Sequence, residues 1–401
     1  MRILFVMSGN GSMPSVINGG AVATLIEQLI NKNETEKRYK IDVVSTFEEN
    51  SFEEGKKYKE TKYIYVHRNK NIVKILSLCS KIFLKIFPKY YNRFNLELTD
   101  YLYKIRKKIK FENYDRIIVE NMSTYINGLK GIEKNKNLYL HLHNDYLPWK
   151  DTRSETIYNK CKNILVVSDY IKKCTLSSKY SEDKVKVFFN CIDMNLFNKD
   201  LYLNEKQKLR EKLGIKEEDI VFMFSGRLTK EKGIDKLLEA FSMLEYKNIK
   251  LLILGSYDYG KKGKNSFIIS LEEKFKSLKN KIIFTGFIHR DDVPKYHAIS
   301  DIAIIPSMWE DPCPLTVFEA LSSRLPLITT DSGGIPEIVD SNSTFILKRD
   351  GDFIKNLKDK MEFLYLNPKE RKMRGEEGRK YIEKYNLDFY WEQFKKIMEE
   401  N

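Results

Sequence analysis

Short apolar segments rich in β-branched residues recur along the whole chain, and segments with a helical period separate them. Many of these segments are continuously apolar rather than alternating, which is typical of strands buried on both faces of a parallel sheet. In the first half the predicted strands are residues 3–7, 41–45, 62–66, 116–119, 138–141, 164–167 and 184–188. In the second half they are residues 220–225, 250–254, 282–285, 302–305, 325–329 and 344–347.

Helical patterns follow many of these strands, for example at residues 21–30, 234–244 and 315–323. Regular alternation of strands and helices predicts parallel, doubly wound sheets. A break near residues 190–193 separates two such series. We therefore predict the fold class α/β, with two Rossmann-like doubly wound domains facing a cleft. The predicted segments are an N-terminal domain of residues 1–190, a C-terminal domain of residues 191–375 and a final segment of residues 376–401.

The composition is that of a folded protein in a reducing compartment. The chain has 401 residues, of which 42% are hydrophobic, enough to bury a sizeable core. Its five cysteines form no Cys-x-x-Cys pair and no zinc-ligand spacing, which is typical of reduced core cysteines. The N-terminus begins with a strand-like run rather than a signal peptide, and no window of about 18 uncharged apolar residues occurs. We expect a cytoplasmic protein without a membrane-spanning helix.

Positive charge is concentrated in residues 56–110, which hold 16 Lys and Arg against 3 acids, whereas the whole chain carries +14. A local surplus of this kind indicates an anionic partner. At its centre, within residues 72–87, one polar stripe runs among Ile, Leu, Val and Phe; it consists of Lys74, Ser77, Lys81 and Lys85. The pattern fits a helix lying on an anionic membrane, and it equally fits an ordinary packed helix with its lysines in solvent. No nucleic-acid partner is expected, because no recognition module is present.

Glycine-containing turns follow several predicted strands. Gly19 and Gly20 precede the first helix, where free backbone N–H groups could meet a phosphate; a plain turn is an equally good interpretation. In the second domain, Gly226 and Arg227 end a strand and Lys232 lies five residues further on. A guanidinium and an ammonium at that spacing could hold a diphosphate. The alternative is a solvated basic loop.

The longest candidate segment contains two acids, Asp311 and Glu319, around the start of a predicted helix. Free amides in the first turn, at Leu315 and Thr316, suit a phosphate, and carboxylates accept hydrogen bonds from sugar hydroxyls. For Glu319 alone, the alternative is an acid that stabilises the helix dipole. A further glycine turn lies at residues 331–337. The recurrence of such turns at strand ends indicates a ligand site at one edge of this domain.

Together these motifs resemble the retaining glycosyltransferases of family 4, which have the GT-B fold. The resemblance rests on Gly-Arg at 226–227, Glu-Lys-Gly at 231–233, the two acids around a proline turn at 311–319 and Gly-Gly-Ile-Pro-Glu at 333–337. It covers nearly the whole chain, with specific motifs in the second domain and looser ones in the first. It implies an acceptor-binding first domain, a nucleotide-sugar-binding second domain and a terminal helix that crosses back onto the first.

The resemblance implies a role for each matching residue. Arg227 and Lys232 would bind the donor diphosphate and stabilise the leaving group. Asp311 would contact the donor sugar, Glu319 the nucleotide ribose, and His143 would lie beside the anomeric carbon. The other donor-binding residues would be Gly19, Gly20, Gly226, Ile288, Glu310, Pro314, Leu315 and Thr316, with Ile288 in the base pocket.

Two positions depart from the family pattern. Asp311 stands where a Glu is usual, and Glu310 immediately precedes it. Pro314 stands where the family often has Gly, which removes one N–H donor. These differences concern the sugar pocket rather than the fold.

Two histidines, His141 and His143, alternate on a predicted strand and therefore share a face, and Asp145 follows them. The alternatives are a metal site and hydrogen bonding. We favour hydrogen bonding, because the sequence shows no further ligand nearby. We see no Asp-x-Asp pair that we interpret as a metal site for a diphosphate. We therefore expect neither a metal nor a cofactor.

We therefore predict transfer of a hexose unit from a nucleotide diphosphate sugar, with a UDP-sugar favoured, to a hydroxyl acceptor with retention. The expected acceptor is a lipid-linked or cell-surface glycan precursor, with peripheral contact between residues 56–110 and the anionic inner face of the cell membrane. Two alternatives remain open: a non-catalytic regulatory protein that binds a nucleotide sugar, and a nucleotide-sugar epimerase of the same fold.

Overall fold

The computed structural model describes residues 1–9, 11–14, 20–87, 96–145, 147, 152–176, 181–256 and 265–400. These residues form two parallel β-sheets with helices between successive strands. The chain divides into two compact units. Unit 1 comprises Met1–Phe188 and Lys395–Asn401, and unit 2 comprises Phe189–Phe394. The predicted fold class of two doubly wound α/β domains is confirmed.

Within the described residues, unit 1 is built on seven parallel strands in the order β3-β2-β1-β4-β5-β6-β7. They are β1 (Arg2–Val6), β2 (Lys40–Thr46), β3 (Thr61–Val66), β4 (Arg116–Glu120), β5 (Leu138–Leu142), β6 (Asn163–Val166) and β7 (Val185–Val187). Its helices are α1 (Ala21–Glu36), α2 (Glu49–Gly55), α3 (Lys70–Ile86), α4 (Leu96–Lys108), α5 (Ser123–Gly128), α6 (Thr152–Lys160) and α7 (Asp169–Thr175). Leu4 and Val6 of β1 are fully buried, as expected of a strand with both faces covered.

Unit 2 repeats this arrangement with six described strands in the order β10-β9-β8-β11-β12-β13. They are β8 (Ile220–Ser225), β9 (Ile249–Leu254), β10 (Ile282–Gly286), β11 (Ile302–Ile305), β12 (Leu327–Thr330) and β13 (Thr344–Leu347). The helices are α8 (Leu203–Lys212), α9 (Ile234–Ser242), α10 (Ser266–Lys274), α11 (Val293–Ala298), α12 (Leu315–Ser322), α13 (Phe353–Leu366), α14 (Pro368–Ile382) and α15 (Leu387–Glu399). Helix α9 buries Ile234, Leu237, Leu238 and Phe241 against the sheet at three- and four-residue spacing.

The end of α15 belongs to unit 1. There Arg38 Nη2 lies 2.9 Å from Glu399 Oε1, and Arg116 Nε donates to the carbonyl of Met398 at 3.0 Å. In the described part of the chain, no helix combines the length and the apolar character needed to cross a bilayer.

Each predicted strand corresponds to an observed one with ends that differ by at most two residues. Helix α1 is longer than predicted, because it continues through a polar segment that carries no apolar stripe. Its last turns are anchored by Asn33, whose side chain is buried and makes two hydrogen bonds of 2.9 Å with the backbone of Tyr39. Hydrophobic periodicity does not report contacts of this polar kind.

Candidate active site

The strand order of unit 2 reverses at β8, which lies between β9 and β11. In open α/β sheets, the connections at the carboxyl ends of the strands diverge at such a switch point and leave space for a ligand. Gly226, Arg227 and Lys232 follow β8, and Glu310 and Asp311 follow β11. The structure therefore brings both predicted groups to one edge of the sheet, beside the switch point.

The loops after β8 and β11 are in close backbone contact at a glycine. Gly233 has a left-handed φ of 71°, and a Cβ atom there would lie 1.9 Å from the carbonyl oxygen of Pro306. Beside this contact, the backbone N–H of Met308 donates to the carbonyl of Glu231 at 2.8 Å. Only a residue without a side chain allows this approach. It brings Lys232 next to Asp311.

Lys232 and Asp311 form a sheltered ion pair. Lys232 Nζ donates to Asp311 Oδ2 and lies 5.3 Å from the centre of the Trp309 ring. Their side chains are 19% and 6% exposed, so solvent screens this pair less than a surface pair. Arg227 is more open, with 35% of its side chain exposed and its Nη2 3.7 Å from Glu231 Oε2. The site thus offers one cation held by a buried acid and a second that solvent reaches.

Glu310 is engaged differently from its neighbour Asp311. Its Oε1 accepts from Arg349 Nη2 at 2.7 Å, and its Oε2 accepts from the N–H of Gly333 at 2.6 Å. Arg349 Nε also donates to Asp331 at 3.1 Å. Partial burial opposes the charge on Arg349, but the hydrogen bonds to Glu310 and Asp331 raise its pKa. Asp311 is therefore the acid that faces Lys232, and Glu310 holds the surrounding loops.

Sequence reasoning missed Arg349. The signal was available, because this residue lies just beyond the carboxyl end of β13, on the same edge of the sheet as the other candidates. A single Arg in a polar connection does not distinguish itself from a solvated side chain, however, until its partners are known.

The predicted glycine turn at residues 331–337 supports the backbone of Asp311. Gly333 has a φ of 51°, and a Cβ atom there would lie 2.2 Å from the carbonyl oxygen of Asp311. The N–H of Gly334 donates to that oxygen at 2.9 Å. The turn therefore fixes the peptide that carries the Asp311 side chain, rather than leaving that peptide to a flexible loop.

Helix α12 begins at Leu315, directly after Pro314, and no side chain caps its N-terminus. The first N–H groups of a helix have no partner within the helix, so Leu315 and Thr316 present amides and the positive end of the helix dipole. Before this helix, Asn190 Nδ2 donates to the carbonyl of Cys313 at 2.9 Å. The amides predicted to bind phosphate are thus placed at a helix start that is anchored from outside.

Glu319 lies in the second turn of α12 rather than the first, which disfavours the interpretation as a dipole-stabilising acid. One fifth of its side chain is exposed, yet burial raises the pKa of this carboxyl to about 7. His297 Nε2 lies 3.9 Å from Glu319 Oε2, but burial and the charge of Lys199 lower the pKa of His297 to about 3. The histidine is therefore neutral at pH 7 and gives Glu319 no counter-charge.

The remaining predicted donor-binding residues lie in several connections. Ile288 is half-buried two residues beyond β10, whose last residue, Gly286, has a φ of 72°. Gly20 is the residue before α1 and makes no side-chain cap, which leaves the first amides of that helix available. Gly19 lies outside the described residues.

Three buried side chains meet at the carboxyl edge of the unit 1 sheet: Glu120, His141 and His143. Glu120 ends β4, and the register pairs it with His141 of β5. Their ligand atoms all lie within 4.8 Å of one another. The expectation that no further ligand lies near the two histidines was wrong, and the third member of the group is Glu120 rather than Asp145. A buried acid at the end of an apolar strand was the available signal.

Helix α3 exposes apolar side chains as well as its lysines. The exposed fractions reach 60% at Ile75, 59% at Leu78 and 64% at Ile86. The opposite face packs towards α4, and Ser80 Oγ there accepts from the N–H of Leu96 at 3.0 Å. Lys74, Lys81 and Lys85 are exposed as predicted, but Ser77 is half-buried, because it lies on the side that turns toward the protein. Residues 88–95 of the basic segment lie outside the described residues.

Comparison with known families and proteins finds relatives of this chain. Residues 205–381 match the family described as glycosyl transferases group 1. Spore coat protein SA of Bacillus subtilis is 25% identical over 296 residues, which cover 71% of this chain and 77% of that protein. Lipopolysaccharide 1,2-N-acetylglucosaminetransferase of Salmonella typhimurium is 26% identical over 264 residues, which cover 65% of this chain and 66% of the enzyme.

Among solved structures, the Anabaena protein Alr3699/HepE, crystallised in complex with UDP and glucose, superimposes with a TM-score of 0.76. The superposition covers 100% of both chains at 16% sequence identity. At that identity, the likeness shows a shared fold.

Proposed function

We propose that this chain, whose residues 205–381 match the group 1 glycosyl transferases, is a glycosyltransferase that moves a hexose unit from a UDP-sugar to a hydroxyl acceptor with retention at the anomeric carbon. The observation that carries the proposal is the Lys232–Asp311 pair beside Arg227 at the switch point of unit 2. Two cations suit a diphosphate, and an acid next to them suits the hydroxyls of the attached sugar.

The mechanism we propose is mainly electrostatic. When the bond between the anomeric carbon and the phosphate oxygen breaks, its electron pair goes to the departing UDP. Arg227, Lys232 and the first amides of α12 stabilise the negative charge that develops there. Asp311 orients Lys232 before the donor arrives, and its other oxygen accepts a hydrogen bond from the sugar. Retention is proposed on the family resemblance.

Glu319 is proposed to bind the ribose, because its two carboxylate oxygens can accept hydrogen bonds from two neighbouring hydroxyls. Only the ionised form accepts at both oxygens. Since burial raises the pKa of Glu319 to about 7, donor binding and ionisation of this residue should favour each other.

Two relatives support the choice of donor and acceptor. HepE, which shares the fold, was crystallised with UDP and glucose. The Salmonella relative is a lipopolysaccharide 1,2-N-acetylglucosaminetransferase. We propose a UDP-hexose donor and a lipid-linked or cell-surface glycan precursor as the acceptor.

The exposed face of α3 supports peripheral contact with a membrane. At 3.6 residues per turn, Lys74, Lys81 and Lys85 share one side of the helix. The adjacent arc of about 120° carries the exposed apolar residues Ile72, Ile75, Leu78, Ile82 and Ile86. An ordinary packed helix would bury that arc. Apolar side chains next to a row of lysines instead suit the acyl and headgroup layers of an anionic membrane.

Purified protein tested against UDP- and GDP-sugars gives the most direct test of the donor. The matching donor should raise the thermal unfolding midpoint, because a ligand that binds only the native state stabilises it. Glu319→Ala should abolish this shift, whereas Lys216→Ala, whose side chain is 75% exposed, should keep it. A shift with GDP-sugars alone would contradict the proposed donor.

Turnover distinguishes the remaining alternatives. With the matching donor and a glycan acceptor, NMR of the anomeric proton should show that the product has the same anomeric configuration as the donor. An inverted product would contradict retention. Release of an epimerised sugar without any acceptor would favour the epimerase alternative.

A further inference from the structure

The Glu120, His141 and His143 side chains form a compact hydrogen-bonded group in unit 1. Glu120 Oε2 lies 3.0 Å from His141 Nδ1 and 3.0 Å from His143 Nε2. The three residues are 1%, 1% and 9% exposed. His141 Nδ1 also lies 3.4 Å from Glu120 Oε1, so one buried carboxylate serves both imidazole rings.

The backbone around this group is held in an unusual conformation. Asn121, directly after Glu120, has a left-handed φ of 58°, which is uncommon for a residue other than glycine. Its N–H donates to the carbonyl of His141 at 2.7 Å, and its Oδ1 accepts from the N–H of His143 at 3.0 Å. The end of β4 thus fixes the peptides on either side of the two histidines. Such conformations cluster at functional sites.

The charges within the group fit a carboxylate that accepts two N–H bonds. Burial opposes ionisation of Glu120, but its interactions with His141 and the hydrogen bonds from both rings lower its pKa to about 2. Burial, together with His141, lowers the pKa of His143 to about 4. At neutral pH, His143 is therefore a neutral ring beside an ionised acid.

A bound metal ion fits this group less well than protons do. A metal would take the lone pairs of His141 Nδ1 and His143 Nε2, and a metal-bound histidine normally donates its other N–H to an acceptor. His141 Nε2 is buried and has no hydrogen-bond partner among the described residues. A lone pair at that nitrogen costs less than an orphaned N–H. The geometry therefore favours Nδ1–H on His141, and hydrogen bonds rather than a metal ion join the three side chains.

We propose that Glu120 is a positioning residue for His143: its carboxylate holds the imidazole as the Nε2–H tautomer, so that Nδ1 keeps its lone pair as an acceptor for a substrate hydroxyl. The first part concerns unit 1 alone. The second part rests on the proposed glycosyl transfer. Glu120 touches no reacting atom in this proposal and acts through the histidine, in the way that a buried acid sets the tautomer of a catalytic histidine elsewhere.

The tautomer is measured directly by two-bond ¹H–¹⁵N NMR on the full chain labelled at its five histidines, with His143→Gln used for assignment. We expect a pyrrole-type Nε2 and a pyridine-type Nδ1 for His143 at neutral pH. Glu120→Gln should shift both nitrogens toward a mixture of tautomers. Asp42→Asn, which removes another buried carboxylate of unit 1, should leave them unchanged. A protonated Nδ1 in the wild type, or one equivalent of bound zinc in the purified protein, would overturn the proposal.

Kinetics test the second part. Glu120→Gln should lower the kcat of sugar transfer at least tenfold while the donor KM stays within about twofold, and Glu120→Asp should recover part of the loss. An unchanged kcat in Glu120→Gln, with its tautomers mixed, would contradict the role at the substrate. If the wild type transfers no sugar from any donor, the proposed function fails, and the NMR result still decides the role of Glu120.

Discussion

Gly255, one residue beyond β9, packs so closely on Gly226, one residue beyond β8, that a Cβ atom at position 255 would lie 1.9 Å from the carbonyl oxygen of Gly226. The contact is continued by a hydrogen bond of 3.0 Å from the N–H of Gly226 to the carbonyl of Leu254. The peptide that leads into Arg227 therefore packs directly against a neighbouring strand end, and position 255 has no space for a side chain at this contact.

Replacing Gly255 by Ala should destabilise unit 2 strongly. The new methyl group would meet backbone, which cannot rotate away, and the residue has a φ of 139°. We expect a loss of about 3 kcal/mol or more in the free energy of unfolding, measured by urea titration. Gly214→Ala is the matched control, because Gly214 has a φ of 64° but no atom within 4 Å of its Cβ position. It should cost about 1 kcal/mol. Equal losses in the two variants would show that crowding at Gly255 is unimportant.

Glu319 should make the stability of the protein depend on pH. Burial raises the pKa of this carboxyl to about 7, above its ordinary value of 4.5. Between these values, the native state holds a proton that the unfolded chain has lost, so the free energy of unfolding falls as pH rises from 4.5 to about 7. The loss from this residue is about 3 kcal/mol at most.

Urea unfolding at pH 5 and pH 8 checks this dependence. Glu319→Gln should shift the wild-type difference between the two conditions by up to about 3 kcal/mol in favour of pH 8, because glutamine does not titrate. His143 and His297, whose lowered pKa values add stability as pH rises, contribute equally in both proteins. Glu376→Gln, whose side chain is 55% exposed, should keep the wild-type difference. A wild-type stability that rises between pH 5 and pH 8, with the rise lost in Glu319→Gln, would mean that the carboxylate is stabilised rather than disfavoured.

The Lys232–Asp311 pair should show strong coupling in a double-mutant cycle. Lys232→Ala leaves a buried carboxylate without its partner, so we expect a loss of about 3–5 kcal/mol in the free energy of unfolding. The double variant Lys232→Ala, Asp311→Ala should lose less than the sum of the single variants by about 1–3 kcal/mol. Additive losses would indicate that the two side chains do not interact in solution.

The same lysine should matter to catalysis beyond its effect on folding. Under conditions where the variant is folded, Lys232→Ala should lower kcat by roughly 100- to 1,000-fold, because it removes a donor to the leaving diphosphate. Lys216→Ala supplies the control for the loss of a lysine elsewhere on unit 2. A variant that is folded and fully active would exclude Lys232 from the reaction.

Helix α3 should bind anionic vesicles through its apolar face. The wild type should sediment with vesicles containing phosphatidylglycerol and less with pure phosphatidylcholine, and added salt should weaken binding. Ile75→Glu should abolish sedimentation, and changing Lys74, Lys81 and Lys85 to Gln should weaken it roughly a hundredfold, at about 1 kcal/mol per lysine. Ile269→Glu places the same charge at an isoleucine that is 50% exposed on α10, and it should bind normally. A concentration-dependent dimer that Ile75→Glu disrupts, without vesicle binding, would assign this face to a second copy of the chain.

The sequence predicts the sheets well because their strands are continuously apolar, and burial on both faces leaves that pattern nearly free of ambiguity. It also places Lys232 and Asp311 in connections that follow strands of the same domain. It does not reveal which of Glu310 and Asp311 faces the lysine, because that depends on Arg349, which lies 39 positions from Glu310 in the chain. Glu120 was missed for the same reason, since its importance comes from the register that pairs it with His141.

The three glycine contacts at Gly233, Gly255 and Gly333 each place backbone against backbone around the site. In a mutational library of unit 2, almost every substitution at these positions should therefore be lost from the folded population, while exposed side chains on the same loops, such as Lys230, tolerate change. New donor preferences would then have to arise on a backbone that cannot be reshaped. Directed evolution of this enzyme should be more productive at the side chains of these loops than at the glycines that fix the loop backbone.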